Sequence, residues 1–341
     1  MFDKLSFNIN RVYPTLVVST MSSGKSTLIN ALAGKDLLPS RNRACTSRTI
    51  AILDNDERAQ FKIHAVDKTG KYSYIDEATE SIVAEFNQTN DVVEMIIEGD
   101  IQGIRNSKKA LLLVDTPGIN NSMDQSHEMI TKEVLDEYPE GLILYIINAQ
   151  QIGTYDDSNF LTLIAKKLMD NSNFKIIFVI NKMDLIDPEK EKPWELVENC
   201  KTYIQSKGIE NPVLIPVSAS SALIFKKVLN QEILSELEEE DFVQYYRHFK
   251  RESYSLNDYA CMPGRGNGKD ILVVDGINYC RAEIYAALDN TGVPFLEKVI
   301  DETLIRSLKM KAPGITVKRN TVNKAKRKNS IKKEKSAKTK P

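Results

Sequence analysis

A strand that runs into a glycine-lysine turn and then a helix leaves a chain few folds to adopt, and residues 15–33 read that way. TLVVS at Thr15–Ser19 has the pattern of a buried strand, and the spacing of Leu28, Ile29 and Leu32 predicts a helix over Lys25–Ala33. The loop between them, STMSSGKST at Ser19–Thr27, fits the pattern GxxxxGK[ST] except that Ser19 stands at the first glycine position. In such a loop the backbone of Thr20, Met21, Ser22, Ser23 and Gly24, continuing into Lys25, Ser26 and Thr27, turns successive N–H groups toward a phosphate at the helix N-terminus. Lys25 then reaches the β- and γ-phosphates, and the Ser26 hydroxyl ligates Mg²⁺.

The rest of the chain repeats the alternation. Short apolar runs at Ile50–Leu53, Phe61–Val66, Ala110–Val114, Leu142–Ile147, Ile176–Ile180 and Val213–Val217 are mostly separated by helical stretches. This predicts an α/β fold with a mostly parallel central sheet flanked by helices, its ligand beyond the carboxyl ends of the strands. Residues 58–104 depart from the pattern: β-rich segments surround one helix near Ala78–Phe86, which predicts an insertion of antiparallel strands at a sheet edge. Helix is expected over Ala222–Phe249 and Ile271–Leu288, with a Gly- and Pro-containing loop at Met262–Lys269 between them, so that residues 222–290 read as a second insertion. A turn and a last helix follow in TGVPFLEKVIDETLIRSL.

Charge divides the chain. Residues 309–341 hold 13 Lys or Arg against the single acid Glu334, while the remaining residues carry 33 basic and 46 acidic side chains. A Lys-rich, disordered tail thus follows an acidic body at residues 1–308, and it suits an anionic membrane surface, a nucleic acid, or a merely solubilising role. Cys45, Cys200, Cys261 and Cys280 have neither zinc-ligand nor disulfide-ladder spacing, and His64, His127 and His248 do not cluster with them. No apolar run approaches the ~20 residues of a spanning helix, so a cytoplasmic location, with peripheral membrane contact as an option, is the expectation.

Three later motifs define a nucleotide. LLLVDTPG ends a strand with Asp115, suited to hold Mg²⁺ through water, and places Gly118 three residues on, where the lack of a Cβ lets its N–H approach a γ-phosphate. FVINKMD ends another strand with Asn181, Lys182 and Asp184, the [NT]KxD pattern. A carboxylate at Asp184 accepts from the ring N–H and the exocyclic amine of guanine, whereas adenine leaves it unpaired. Asn181 ties this segment to the phosphate loop, and the Lys182 stem lies over the base. Ser218 and Ala219 fit the remaining short guanine contact, with the Ala219 N–H facing the purine carbonyl. In RNRACTSRTI, Thr46 is preferred to Thr49 as a switch threonine completing Mg²⁺ coordination.

With these residues the sequence resembles the dynamin superfamily, and particularly the GTPase domain of bacterial dynamin-like proteins. The likeness lies in SSGKSTLINALAG, LLPSRNRACTSRT, VDTPGINNS, NKMD and TGVPFLEKVI, and covers about Leu16–Leu308. The separation of 69 positions from Thr46 to Asp115 is ordinary there and long for small Ras-like or Era-like GTPases.

The resemblance implies a Mg²⁺-dependent GTPase, binding GTP and GDP, whose domains pair across the nucleotide as a homodimer. It makes Ser22, Lys25 and Thr46 the catalytic candidates, with Ser22 at the cation-binding serine. Met21 stands where eukaryotic dynamins have a glutamine and is a poor hydrogen-bonding partner for water, so hydrolysis is expected to be slow alone and faster on dimerisation. The long stalk of membrane-remodelling members is not evident, which implies a separate stalk-bearing partner if membranes are reshaped. Two other readings remain: a low-turnover GTP switch, and a ribosome- or RNA-associated GTPase that uses the basic tail.

Overall fold

The apolar run expected at Thr15–Ser19 extends back to Val12, forming β1 (Val12–Ser19) in the middle of a nine-stranded sheet. This computed structural model describes residues 11–20, 22–39, 49–89, 91–106, 109–116, 136–138, 140–170, 173–187, 190–250, 256 and 271–306. To one side of β1 lie β7 (Gly141–Asn148), β8 (Phe174–Asn181) and β9 (Leu214–Pro216), and to the other β6 (Ala110–Asp115), all five parallel. Their carboxyl ends therefore bring Ser19, Asp115, Asn148, Asn181 and Pro216 to one rim, where a parallel sheet binds ligands.

Beyond β6 the sheet changes character, as the residue pattern of 58–104 predicts. β2 (Ile50–Asp54) runs antiparallel to β6 and parallel to β5 (Val92–Gly99), while β3 (Lys62–Asp67) and the edge strand β4 (Tyr72–Ile75) add antiparallel pairs. α2 (Glu80–Gln88), capped by the Thr79 side chain, connects β4 to β5.

Both faces of the sheet are covered. On β1, Val17 faces one layer while Leu16 and Val18 face the other, the two-residue alternation of a pleated strand. The first layer is built from α1 (Lys25–Ala33), α5 (Ala219–Leu229), α6 (Glu236–Phe249), α7 (Arg281–Asn290) and α8 (Val293–Arg306); the second from α3 (Tyr155–Asp170) and α4 (Pro193–Ser206). Burial on both sides explains why the central strands read as continuous apolar runs.

Two helical expectations need correction. The stretch Ala222–Phe249 is two helices, because Gln231 turns left-handed (φ 61°) and Ser235 opens α6 with a reciprocal capping box to Glu238. The helix expected over Ile271–Leu288 is, in its first half, the hairpin β10 (Ile271–Val274) and β11 (Ile277–Cys280). Asp275 and Gly276 join the strands with φ 49° and 65°, the left-handed pair that a two-residue hairpin turn requires. The Met262–Lys269 loop and the tail at residues 309–341 lie outside the described residues.

Candidate functional site

The phosphate loop leaves β1 at the sheet rim. Ser19, in place of the usual glycine, is still part of the strand, paired with Ile146 and 3% exposed, so its side chain is accommodated beside β7. Ser22 (φ 60°) and Gly24 (φ 84°) then adopt left-handed backbone, and the Ser23 hydroxyl donates to Thr20 O at 2.8 Å. Such turns aim successive N–H groups inward and make an anion-binding concavity. α1 begins immediately afterwards with no side-chain cap and no acid in its first turn, so its N-terminal donors and partial positive charge remain for a ligand. Ser26 and Thr27 lie half-buried in that turn.

Lys25 and Asp115 meet at the bottom of this concavity. The Lys25 ammonium donates to Asp115 Oδ1, with the side chains only 8% and 1% exposed. Burial pushes the Asp115 carboxyl up, and the Lys25 charge offsets part of that rise. Asp115 Oδ2 is buried without a hydrogen-bond partner among the described residues. An oxygen donor held in this way at a phosphate loop fits a hydrated Mg²⁺ ion. Thr116, next in the chain, is anchored to β1 by its hydroxyl on Val17 O at 2.9 Å.

The guanine motifs are joined to the phosphate loop through Asn181. Its Nδ2 donates to Ser23 O at 3.0 Å, and its Oδ1 accepts from Ala219 N at 3.1 Å. One side chain thus links the ends of β1, β8 and β9, as the sequence leads one to expect for the loop contact. The Ala219 N–H, expected to face a purine carbonyl, is instead spent on Asn181. Lys182 is half-buried and left-handed (φ 68°), and it swings the chain into a short turn carrying Asp184. Ser218 Oγ lies 2.6 Å from Asp184 Oδ1 and 2.7 Å from Ser221 Oγ. With one proton on each hydroxyl, Ser218 donates to the carboxylate and Ser221 to Ser218. The Ser220 hydroxyl, at 3.4 Å, is the only other donor to the Asp184 carboxylate among the described contacts.

Several supporting residues carry no motif. Ser218 N donates to Thr291 O at 2.8 Å, and a Cβ on the next residue, Gly292 (φ 77°), would fall 2.1 Å from Pro216 O. The TGVPF turn is therefore packed directly behind the loop that carries Ser218. Asn30, fully buried on α1, donates to Leu38 O and accepts from Leu37 N and Leu38 N, fixing the chain just after the helix. Only their tertiary neighbours reveal these roles; an internal asparagine in a helix and a glycine two residues ahead of Pro294 are the hints in the sequence. Cys200 is not a reactive thiol: burial pushes its pKa up to about 12. Met21, Thr46 and Gly118 lie outside the described residues.

Residues 16–183 match the sequence profile of the dynamin family. An uncharacterised protein encoded in the xynA 3′ region of Caldicellulosiruptor is 29% identical over 260 residues, 73% of this chain and 60% of that protein. A mitochondrial dynamin-like GTPase of Saccharomyces cerevisiae is 29% identical over 206 residues, 57% of this chain and 22% of its own length. Dynamin-like protein 1 of Campylobacter jejuni is 25% identical over 286 residues, 72% of this chain and 37% of its own. The chain spans less than two thirds of each of these relatives. No helix among the described residues is long and apolar enough to cross a membrane.

Proposed function

The chain carries a dynamin-superfamily domain, and on that premise we propose that it binds GTP and hydrolyses it to GDP and phosphate. The observation that carries this reading is the Asn181 bridge, which holds the phosphate loop and the NKMD turn in one frame. A loop for phosphates and a carboxylate for guanine are useful together only if their spacing is fixed.

Binding proceeds by exchange of partners. Lys25 leaves the Asp115 carboxylate for the β- and γ-phosphates, so that a buried ion pair is replaced by contacts to a more highly charged ligand. The Asp184 carboxylate gives up the Ser218 and Ser220 hydroxyls for the two guanine donors. Lys182 covers the base with its stem. A Mg²⁺ ion held by Ser26, Thr46 and, through water, Asp115 would neutralise charge on the phosphates. The backbone N–H groups from Ser22 to Thr27 stabilise charge on the departing β-phosphate, and Gly118 senses the γ-phosphate.

Ser22, exposed at the rim of the loop, is assigned to a cation near the developing charge, completed when a second copy of the domain covers the nucleotide. The likeness to dynamins supports this pairing. Competition with a fluorescent guanine nucleotide tests the base assignment: GTP and GDP should displace it, and ATP at a hundredfold higher concentration should not. Equal displacement by ATP would overturn the reading.

A further inference from the structure

Far from the nucleotide site, three carboxylates from two segments converge. Asp54 closes β2, Asp100 follows β5 directly after Gly99, the residue paired with Asp54, and Asp56 lies in the turn beyond β2. One oxygen from each lies within 4.8 Å of one oxygen from each of the others. Because β2 is antiparallel to β6, with Ile50 opposite Asp115 and Leu53 opposite Leu112, the cluster occupies the end of the sheet opposite the phosphate loop.

This is not an ordinary solvated acidic surface. Asp54 is 0% exposed; its Oδ1 accepts from Ile101 N at 2.8 Å, but its Oδ2 is buried with no donor at hydrogen-bonding geometry among the described residues. The nearby Asn106 amide donates one N–H to Asp56 Oδ1 at 2.6 Å and also acts on the Asp54 carboxylate from beside it, short of hydrogen-bonding geometry to Oδ2. Asp100 is half-buried and Asp56 exposed, which leaves one side of the cluster open to water. Three carboxylates so close, one without access to solvent, call for a positive charge between them, and a proton or a metal ion supplies it.

We propose that Asp54, Asp56 and Asp100 form a second cation site, for a hard divalent ion of the calcium or magnesium class. Every donor is a carboxylate oxygen, the set such ions prefer, and water on the open side completes the shell. The ion would also brace the segment after Asp100, which is tied to Asp54 through Ile101, to Asp56 through Asn106, and to Asp301 of α8 through the Arg105 N–H at 3.2 Å. The cluster would then join the edge insertion to the last described helix.

The test uses the full chain, nucleotide-free and stripped of metal, titrated calorimetrically with calcium chloride and separately with magnesium chloride. One site per chain is expected for at least one ion, with a dissociation constant of about 10⁻⁵–10⁻³ M, and the bound ion should raise the melting temperature. Asp56→Asn, at an exposed position that leaves the fold intact, and Asp100→Asn should each weaken binding at least tenfold. Ser26→Asn in the phosphate loop should not change it, which separates this site from the nucleotide's magnesium. Absence of binding by both ions, or equal affinity in the wild type and both cluster variants, would overturn the proposal and leave a proton as the occupant.

Discussion

Asn181 Nδ2 donates to Ser23 O at 3.0 Å, and a Cβ built on Gly24 would lie 2.4 Å from that same nitrogen. The glycine of the phosphate loop is thus required twice, for its left-handed backbone and for the passage of the bridging amide. Gly24→Ala should cost about 1–2 kcal/mol from the backbone alone. It should weaken GTP binding further, because Asn181 must withdraw from both loops. Denaturant unfolding and nucleotide titration of the same variant separate the two effects, and unchanged GTP affinity would contradict the bridge.

Asp184 is the residue on which base choice is expected to depend. Asp184→Asn should weaken GTP binding by roughly 1–3 kcal/mol, the cost of presenting a donor where guanine also donates. The ligand-free protein should lose little stability, since the hydrogen bonds it gives up come from Ser218 and Ser220. Titration with labelled GDP reads the first expectation and thermal unfolding the second.

Lys25 and Asp115 make the usual phosphate-loop probe a less neutral one here. Lys25→Ala leaves a buried carboxylate without its cation, so the ligand-free protein should lose about 3–5 kcal/mol as well as nucleotide affinity. Ser26→Asn should lose Mg·GTP binding with its stability intact. The double variant Lys25→Ala, Asp115→Asn should recover much of the lost stability, which urea unfolding would show directly. No recovery would mean that the pair is not what holds Asp115 in place.

A second buried carboxylate makes stability depend on acid. Glu98 is 5% exposed; burial raises its pKa, but hydrogen bonds from Asn55 and His64 and the charge of Arg58 outweigh that, and the carboxyl is held below its ordinary value. A carboxylate held low in the folded state stabilises above the ordinary glutamate pKa of about 4.3, and that contribution disappears as pH falls through the lower folded value. Glu98→Gln should therefore destabilise the protein at pH 7, and its difference from wild type should shrink as pH falls below the ordinary glutamate value. A gap between variant and wild type that is constant over this range would contradict the assignment.

The parts of this architecture that were legible in the sequence are those carried by local pattern. Strand, turn and helix around Gly24 are encoded within residues 15–33, and Asn181 and Asp184 follow a strand whose apolar run is unmistakable. The edge insertion also announced itself, because its alternation breaks the α/β rhythm. The hairpin at Ile271–Cys280 was missed although Asp275-Gly276 is a strong turn signal; the apolar residues on either side fit a helical spacing as well as an extended one. Asn30 acts on Leu37 and Leu38 just beyond its own helix, and Thr291, Gly292 and the Ala219 N–H have roles fixed by neighbours distant in sequence. The same holds for Asp100, which the β2–β5 pairing brings to Asp54 and Asp56 and no spacing rule would connect.

If the chain hydrolyses GTP with the nucleotide held between the phosphate loop and Asp184, phosphate must be released from that nucleotide. Phosphate release from GTP and from ATP, measured with Mg²⁺ across a range of protein concentrations, tests it most directly. Release is expected from GTP alone, rising in specific activity with concentration as domains pair. Ser22→Ala should lower that turnover more than it lowers GTP affinity. Concentration-independent release by a monomer would remove the paired mechanism and favour a simple switch; no release from GTP beyond that of Ser26→Asn, or equal release from ATP, would contradict the claim itself.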